Sequence, residues 1–278
     1  MRWLFLFFLG VFYSQALALN VYIKTSSFQI GTATVYKTTI RQDTLTSLKP
    51  SPYFAQQPGN VILNVLNLDT ISHELKWTDQ QTSVLVGPNG SVSLVRNVSG
   101  LAIYTLSCAD FSAKTLGASF SIVSGVPGEN RFYWELWDIE SPLSAAIANQ
   151  TITTPLNPYR PNVFTINGYD YPLNQNDSLG MVEANVADTI YICVVNAGNM
   201  PHAMHFHGFH YQILFSLQQP ERHLWVKDSG PIFIQDAMIL KVVPDKPGAY
   251  PVHDHNLTAN TSNGGYAGGM MTMLMIDP

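Results

Sequence analysis

His205-Phe206-His207 and His253-Asp254-His255 are two H-x-H pairs, and they decide how the C-terminal half of this chain is interpreted. Seven of the eight histidines lie between residues 202 and 255. On a β-strand, residues i and i+2 share a face, so each pair points two imidazoles the same way. Two such strands side by side bring four nitrogen ligands to one point, and imidazole suits copper, zinc, iron or nickel. The pattern therefore predicts a metal site made of His205, His207, His253 and His255.

Strand signals dominate the rest of the chain. β-Branched and aromatic stretches of five to nine residues are separated by Gly, Pro and Asn, and no stretch after the N-terminal segment has a convincing helical period. A break at residues 124–128 separates two halves, and a Pro/Asn-rich connector follows from Ser141 to Pro161. Short strands with turn residues between them indicate β-sandwiches. The predicted strands include Val61–Leu68, Ser91–Val98, Leu101–Ser107, Gly117–Val123, Arg131–Ile139, Val163–Ile166, Thr189–Val195, Met238–Val243 and Met271–Ile276.

The first 18 residues have the pattern of a secretory signal peptide. Met1-Arg2 is a short basic start, Leu4–Phe12 is apolar, and Ala16-Leu17-Ala18 is a small-x-small cleavage site. The apolar run is shorter than the roughly 20 residues that a membrane anchor needs. We therefore expect residues 1–18 to be removed and the mature protein to be secreted and extracellular, with no membrane span.

The amino-acid composition restricts the classes of partner that this chain can bind. Charged residues make up only 12% of the chain and the net charge is −5, without a basic run, which argues against nucleic acid and anionic membranes as partners. Two cysteines, Cys108 and Cys193, are compatible with a disulfide in an exported protein and equally with two buried thiols. Six glycosylation sequons favour a glycoprotein; they start at Asn89, Asn97, Asn149, Asn176, Asn256 and Asn260.

The two halves of the chain look like copies of one another. Asn67 ends a predicted strand and His73 follows it, just as Asn196 ends a strand and His202 follows at the same interval. A later segment around Tyr104 parallels the one around Tyr250. This alignment places Lys76, Thr78, Ser107 and Ala109 of the first copy at the positions of His205, His207, His253 and His255 of the second.

Three segments of the second half resemble multicopper oxidases. His202–Gly208 is similar to the H-P-x-H-x-H-G segment of that family, and Phe164–Gly168 to its F-x-I-N-G strand. Pro247–His255, followed by Gly268–Met271, is similar to the segment that ends in H-C-H with a downstream G-M. The resemblance is specific over residues 160–276 and rests on the internal repeat over residues 20–125.

The resemblance implies an all-β fold of two tandem cupredoxin-like Greek-key β-sandwich domains, with copper as the cofactor. The N-terminal domain would span residues 19–126 and be degenerate. The C-terminal domain, residues 127–278, would carry the metal site.

The chain departs from the family pattern at both kinds of copper centre. A type 1 centre takes a Cys, two His and usually a Met, but Asp254 stands at the cysteine position of the second half, and no second histidine follows. In the first half His73 and Cys108 match, yet no His or Met follows before Gly117. The family's trinuclear cluster takes four H-x-H pairs, of which this chain has two. We therefore expect no blue copper site and no complete trinuclear cluster.

Two functions follow from this resemblance. The first is a secreted copper-dependent oxidoreductase that acts on dioxygen or a small-molecule substrate at a type 2/type 3-like histidine site. The alternative is a non-catalytic extracellular copper-binding or carrier glycoprotein. A homo-oligomer, or a separate partner cupredoxin chain that supplies the missing histidines, is compatible with either function. His202 is the fifth metal candidate, either as a ligand or as a hydrogen-bond partner of one.

Overall fold

A computed structural model describes residues 17–154, 158–262 and 264–278. Residues 1–16 of the predicted signal segment lie outside these ranges, and Leu17 and Ala18 begin the first strand. In the part of the chain that the structure describes, no helix is long and apolar enough to cross a membrane.

Within residues 17–124, nine strands form two sheets. In the four-stranded sheet the order is β2-β1-β4-β7, and in the five-stranded sheet it is β3-β9-β8-β5-β6. The strands are β1 (Leu17–Ile30), β2 (Ala33–Arg41), β3 (Tyr53–Ala55), β4 (Gly59–Asn67), β5 (His73–Trp77), β6 (Ser83–Val86), β7 (Ser91–Val98), β8 (Ala102–Cys108) and β9 (Ser119–Ser124).

In the described residues after 130, ten strands form a second pair of sheets. The six-stranded sheet has the order β11-β10-β13-β17-β15-β16, and the four-stranded sheet has the order β12-β19-β18-β14. The strands are β10 (Arg131–Ile139), β11 (Val163–Ile166), β12 (Val182–Asn185), β13 (Ile190–Asn196), β14 (Met204–Phe206), β15 (Tyr211–Ser216), β16 (Val226–Lys227), β17 (Ala237–Val242), β18 (Gly248–Asp254) and β19 (Met271–Asp277).

Two short helices interrupt the strands. The helix α1 (Phe111–Thr115) follows β8, and α2 (Ser141–Ala148) forms the first eight residues of the predicted Pro/Asn-rich connector. The sequence pattern predicts no helix there. A proline sits in the first turn of α2, where its missing N–H costs nothing, and alanines favour helix. Two turns are too short to show a helical period in the sequence.

Alternating burial along the strands builds the core of each sandwich. In β4, Val61, Leu63 and Val65 point inward and the residues between them are partly exposed. This follows from the two-residue period of a strand. The same alternation occurs in β19, where Leu274 and Ile276 face the core. The alternation of methionines at 271, 273 and 275 in the sequence favours core packing for them, and this interpretation is wrong: they lie on the outer face of β19 and are half-buried or exposed.

The internal repeat is visible in the hydrogen bonds of two equivalent asparagines. The Nδ2 of Asn67 donates to the Ile71 carbonyl at 2.8 Å, and the Nδ2 of Asn196 donates to the Met200 carbonyl at 2.9 Å. Each Oδ1 accepts a backbone N–H two residues on, at 2.9 Å in both cases. Each asparagine thus braces the loop that leads into the next strand.

A buried interface joins the two sandwiches. Lys37 on β2 forms an ion pair with Glu135 on β10, and both side chains are buried. The Tyr133 hydroxyl donates to the Ser121 hydroxyl across the same interface at 2.9 Å. Gly117 has φ +77°, and a side chain there would lie 2.5 Å from the Trp137 indole nitrogen, so only glycine fits this close approach.

Both cysteines are free thiols. Cys108 lies in the core of the first sandwich, and Cys193 lies in a separate apolar cluster with Ile103 and Tyr133. Of the two alternatives that the sequence left open, the structure shows two buried thiols.

Candidate metal centre

The two H-x-H pairs lie on neighbouring strands. Strands β14 and β18 pair in antiparallel fashion, with His205 directly opposite His253 and Met204 opposite Asp254. Residues opposite one another in such a pair share a face of the sheet. Each second histidine, His207 or His255, comes just after its strand and two residues beyond its partner.

The four imidazoles converge. The ring centre of His205 lies 4.9 Å from that of His207, 5.7 Å from that of His253 and 5.4 Å from that of His255. The Nε2 atoms of His207 and His253 are 3.0 Å apart. This separation is similar to that of two nitrogens that each bind the same ion at about 2.0–2.1 Å. The structure therefore brings together all four histidines that the sequence pairs.

The donor set fits a metal on two further grounds. The Nδ1 of His205 is buried and has no hydrogen-bond partner, which is a costly state for a polar atom in a protein. Partial burial, and then the charges of His253 and His205, lower the pKa of His207. A lowered pKa keeps that imidazole neutral, and neutral imidazole is the form that binds a metal.

Asn260 holds one of the clustered rings. Its Nδ2 lies 3.1 Å from the Nδ1 of His253 and donates to the Asp254 carbonyl at 2.7 Å. The same His253 Nδ1 lies 2.9 Å from that carbonyl oxygen. Both contacts engage Nδ1, so they orient the ring and leave its Nε2 directed at the cluster, as is usual for histidines that bind metals.

His202 is not part of this cluster. It is fully buried, its Nδ1 lies 2.6 Å from the Oδ2 of Asp254, and its Nε2 lies 3.1 Å from the Oδ1 of Asp138. Burial alone lowers its pKa, but the hydrogen bonds and charges of the two carboxylates outweigh this effect and raise the pKa of His202 to about 9. Both ring nitrogens are thus engaged by carboxylates.

Asp254 points away from its flanking histidines, as strand alternation predicts. Its Oδ1 accepts the backbone N–H groups of Ala203 at 3.1 Å and Asn256 at 2.9 Å, while its Oδ2 faces His202. Its side chain does not contact a ring of the cluster. From the sequence, Asp254 could either hydrogen-bond a ligand histidine or fill the pocket left by the cysteine and its metal, and these contacts support the second role.

The equivalent position in the first sandwich has a similar arrangement. The Nε2 of buried His73 lies 2.9 Å from Asp69, and its Nδ1 lies 3.5 Å from Asp110. Burial lowers the pKa of His73, but these two carboxylates raise it to about 9 overall. Potential ligand atoms of His73, Cys108 and Asp110 all lie within 4.8 Å of one another, a tighter group than the four-histidine cluster. Burial and the nearby carboxylates raise the pKa of the Cys108 thiol, which disfavours the thiolate that a metal requires.

The remaining histidines lie elsewhere on the surface. His210 and His223 are exposed, and the Nδ1 of His223 contacts the Leu214 carbonyl at 3.0 Å.

Sequence reasoning missed Asn260 and Asp138 as parts of this region. Asn260 was noted only as a sequon, and its structural role follows from a turn at Leu257–Asn260 that returns it to His253. Asp138 lies on β10, far from His202 in sequence, and no local pattern marks it.

Residues 145–275 match the sequence model of a family described as multicopper oxidase. This region is similar to that family over slightly less than half of the chain. It contains His202 and all four clustered histidines, so the predicted resemblance is confirmed. A comparison with curated protein sequences gave no match.

Solved structures with the same fold have low sequence identity to this chain. A blue copper oxidase from Nitrosomonas europaea has a TM-score of 0.77 at 18% identity, over 94% of this chain and 86% of that one. A multicopper oxidase designated mgLAC has a TM-score of 0.76 at 16% identity, over 94% of this chain and 86% of that one. A copper nitrite reductase from Nitrosomonas europaea has a TM-score of 0.71 at 13% identity and covers 94% of both chains. These likenesses confirm the predicted all-β, cupredoxin-like fold.

Proposed function

We propose that this protein is a copper-dependent oxidoreductase of the multicopper oxidase type. Its copper would be held by His205, His207, His253 and His255. The observation that carries the proposal is the convergence of these rings, with the Nε2 atoms of His207 and His253 3.0 Å apart, inside the region that is similar to the multicopper oxidase family. The fold neighbours named for copper support copper over zinc, since imidazole accepts either metal.

The exposure of the cluster supports a small-molecule reaction. His207 and His255 are exposed, whereas His205 and His253 are half-buried. Two ligands would therefore anchor the metal in the sheet while the other two border solvent, which lets dioxygen or a small reductant approach. Copper, when bound, supplies one-electron redox chemistry; the protein supplies four imidazoles and the Asn260 contact that orients one of them.

We propose that the protein lacks type 1 copper in both sandwiches. His73 and His202, the histidines at the two corresponding positions, each lie between two carboxylates. Electrons would then reach the four-histidine site directly from the reductant, or from a partner cupredoxin chain, and not through a type 1 relay in this chain.

The second candidate is a copper carrier or store without turnover. The same carboxylate contacts of His73 and His202 favour it, because a carrier needs no electron relay. Both functions require the four-histidine site, so they share one test of binding and differ in a test of turnover.

The binding test measures copper and zinc in purified protein and in a His205→Ala/His253→Ala variant. We expect stoichiometric copper in the parent and none in the variant, with an unchanged far-UV circular dichroism spectrum. A His210→Ala/His223→Ala variant is the matched control and should keep its copper. Equal copper in the parent and the His205/His253 variant would place the site elsewhere.

The turnover test measures oxygen consumption by the copper-loaded protein with ascorbate, a phenol or ferrous iron. Consumption that is lost in the His205→Ala/His253→Ala variant supports the oxidoreductase. Full copper loading without oxygen consumption, given any of the three reductants, favours the carrier.

Export and glycosylation complete the proposal. The N-terminal pattern supports secretion, and the sequon asparagines at 89, 97, 149 and 176 are exposed. Asn260 is only 2% exposed and its amide is hydrogen-bonded, so we exclude this sequon from the proposed glycan sites.

A further inference from the structure

The first sandwich presents a different surface at the place equivalent to the four histidines. Lys76 on β5 lies opposite Ser107 on β8, in the same register as His205 opposite His253. Where the second sandwich offers nitrogen lone pairs for a cation, this surface offers an ammonium group and a hydroxyl.

A cavity of about 170 Å³ opens at this surface. Since one water takes about 30 Å³ of liquid volume, the cavity has room for several waters or for one small oxyanion. A smaller recess beside it shares Thr78, Ser107, Lys114 and Gln235. The cavity itself is lined by Lys76, Thr78, Ser107, Cys108, Lys114 and Gln235.

The charged groups of the lining are both cations. Neither Lys76 nor Lys114 forms an ion pair within residues 17–154, 158–262 and 264–278. Asp110 is the carboxylate beside Cys108, and its oxygens accept the N–H groups of Glu74 at 3.1 Å and Ala113 at 2.9 Å. Asp110 also faces His73 and does not line the cavity, so the two ammonium groups dominate the local charge.

The smaller recess contains two hydroxyls that do not line the cavity itself. The Oγ1 of Thr105 and the Oγ of Ser119 are buried and lack a hydrogen-bond partner among the residues that the structure describes, and both residues line the smaller recess. Thr105 is 3% exposed and Ser119 is 8% exposed. Buried polar atoms without partners are rare in native proteins, so these hydroxyls point to a water or ligand that accepts their hydrogen bonds.

We propose that this cavity binds a small oxyanion, such as phosphate or sulfate. The ammonium groups of Lys76 and Lys114 provide charge-assisted hydrogen bonds, and the second amide N–H of Gln235 provides a neutral one. The Ser107 hydroxyl donates to the Ala118 carbonyl at 2.8 Å and the Thr78 hydroxyl donates to the Thr105 carbonyl at 3.3 Å, so these two hydroxyls line the cavity without donating to the anion. Gln235 comes from the second sandwich and lies 3.4 Å from the Ser107 hydroxyl, so the anion contacts both sandwiches and stabilises their interface.

The experiment uses the metal-free full chain, so its outcome does not depend on copper binding. Isothermal titration calorimetry with potassium phosphate and with sodium sulfate is compared with sodium chloride at equal ionic strength. We expect saturable oxyanion binding and a raised Tm in the parent. Lys76→Gln/Lys114→Gln should weaken binding at least tenfold, while a Lys227→Gln/Lys241→Gln variant of the same net charge should bind within twofold of the parent.

Several outcomes would overturn the proposal. The first is no saturable binding by the parent beyond that of chloride, and the second is undiminished binding by the folded Lys76/Lys114 variant. The third is a concentration-dependent dimer that this variant dissociates without added anion, because a second copy would then occupy the cavity. Lys114 is exposed, so the single variant Lys114→Gln should fold in any case, and we expect it to bind at least threefold more weakly.

Discussion

The Nδ1 of His202 lies 2.6 Å from the Oδ2 of Asp254, and both side chains are completely buried. Asp138 binds the other ring nitrogen of His202. A protonated imidazole between two carboxylates therefore occupies the place where the family pattern has a histidine and a cysteine around copper. Under the proposed function, the metal chemistry of this sandwich would therefore depend on the four-histidine cluster.

The first prediction concerns the colour of the copper-loaded protein. Because both nitrogens of His202 are engaged and Asp254 replaces the thiolate ligand, we expect no intense blue absorption after loading with copper(II). Visible absorption and electron paramagnetic resonance spectra check this. An intense blue band in the parent that disappears in His202→Gln would show that His202 binds copper after all.

The second prediction concerns Asn260. Asn260→Ala removes the amide beside the Nδ1 of His253, so the ring loses orientation and we expect copper affinity to fall about 10–100-fold. Competition with a chelator of known affinity measures the change in protein produced without glycans. Asn176→Ala, at an exposed asparagine, is the matched control. An unchanged affinity in Asn260→Ala would mean that the strand alone orients His253.

The third prediction is that stability falls as the pH rises from about 6.5 to 9. The pKa values of His73 and His202 are raised to about 9 in the folded protein, against about 6.5 in an unfolded chain. The folded state therefore holds these protons more tightly, and the stabilisation is complete below pH 6.5 and lost as the pH passes 9. By linkage, each histidine contributes on the order of 3 kcal/mol.

Urea denaturation of the metal-free protein across this pH range measures the effect. His73→Gln should make the decline shallower, because one of the two groups is removed. On the acid side the sign reverses. Burial raises the pKa of Asp69 and Asp110, but hydrogen bonds from His73 and from nearby N–H and hydroxyl groups outweigh burial and lower the pKa of both carboxyls, so their stabilisation is lost as the pH falls below about 4. A free energy of unfolding that is constant or rises between pH 6.5 and 9 would contradict this prediction.

The fourth prediction concerns the buried ion pair between the sandwiches. Lys37→Met leaves Glu135 buried without its partner, and we expect a loss of about 3–5 kcal/mol. Lys37→Met/Glu135→Leu removes both charges and should recover most of that loss. Lys227→Met, at an exposed lysine, should change stability by less than about 1 kcal/mol. Urea denaturation measures all three variants, and a single-variant cost below about 1 kcal/mol would argue against a tightly closed interface.

The local sequence was sufficient to predict where several strands begin and end. The predicted bounds of Ser91–Val98, Arg131–Ile139 and Val163–Ile166 agree with the structure at both ends. These segments combine β-branched and aromatic residues with clear turn residues at their ends. The short helix α2 was missed because two turns contain too little pattern, and the outward methionines of β19 were misplaced because alternation does not say which face is buried.

The sequence by itself determined that each H-x-H pair points two imidazoles the same way, since the period of a strand is a local property of the backbone. Only the tertiary structure decided that β14 and β18 are neighbours in a register that sets His205 opposite His253. It also decided that His202 faces Asp138 and Asp254 instead of the cluster. Register between distant strands depends on how the whole core is buried, and no short stretch of residues contains that information.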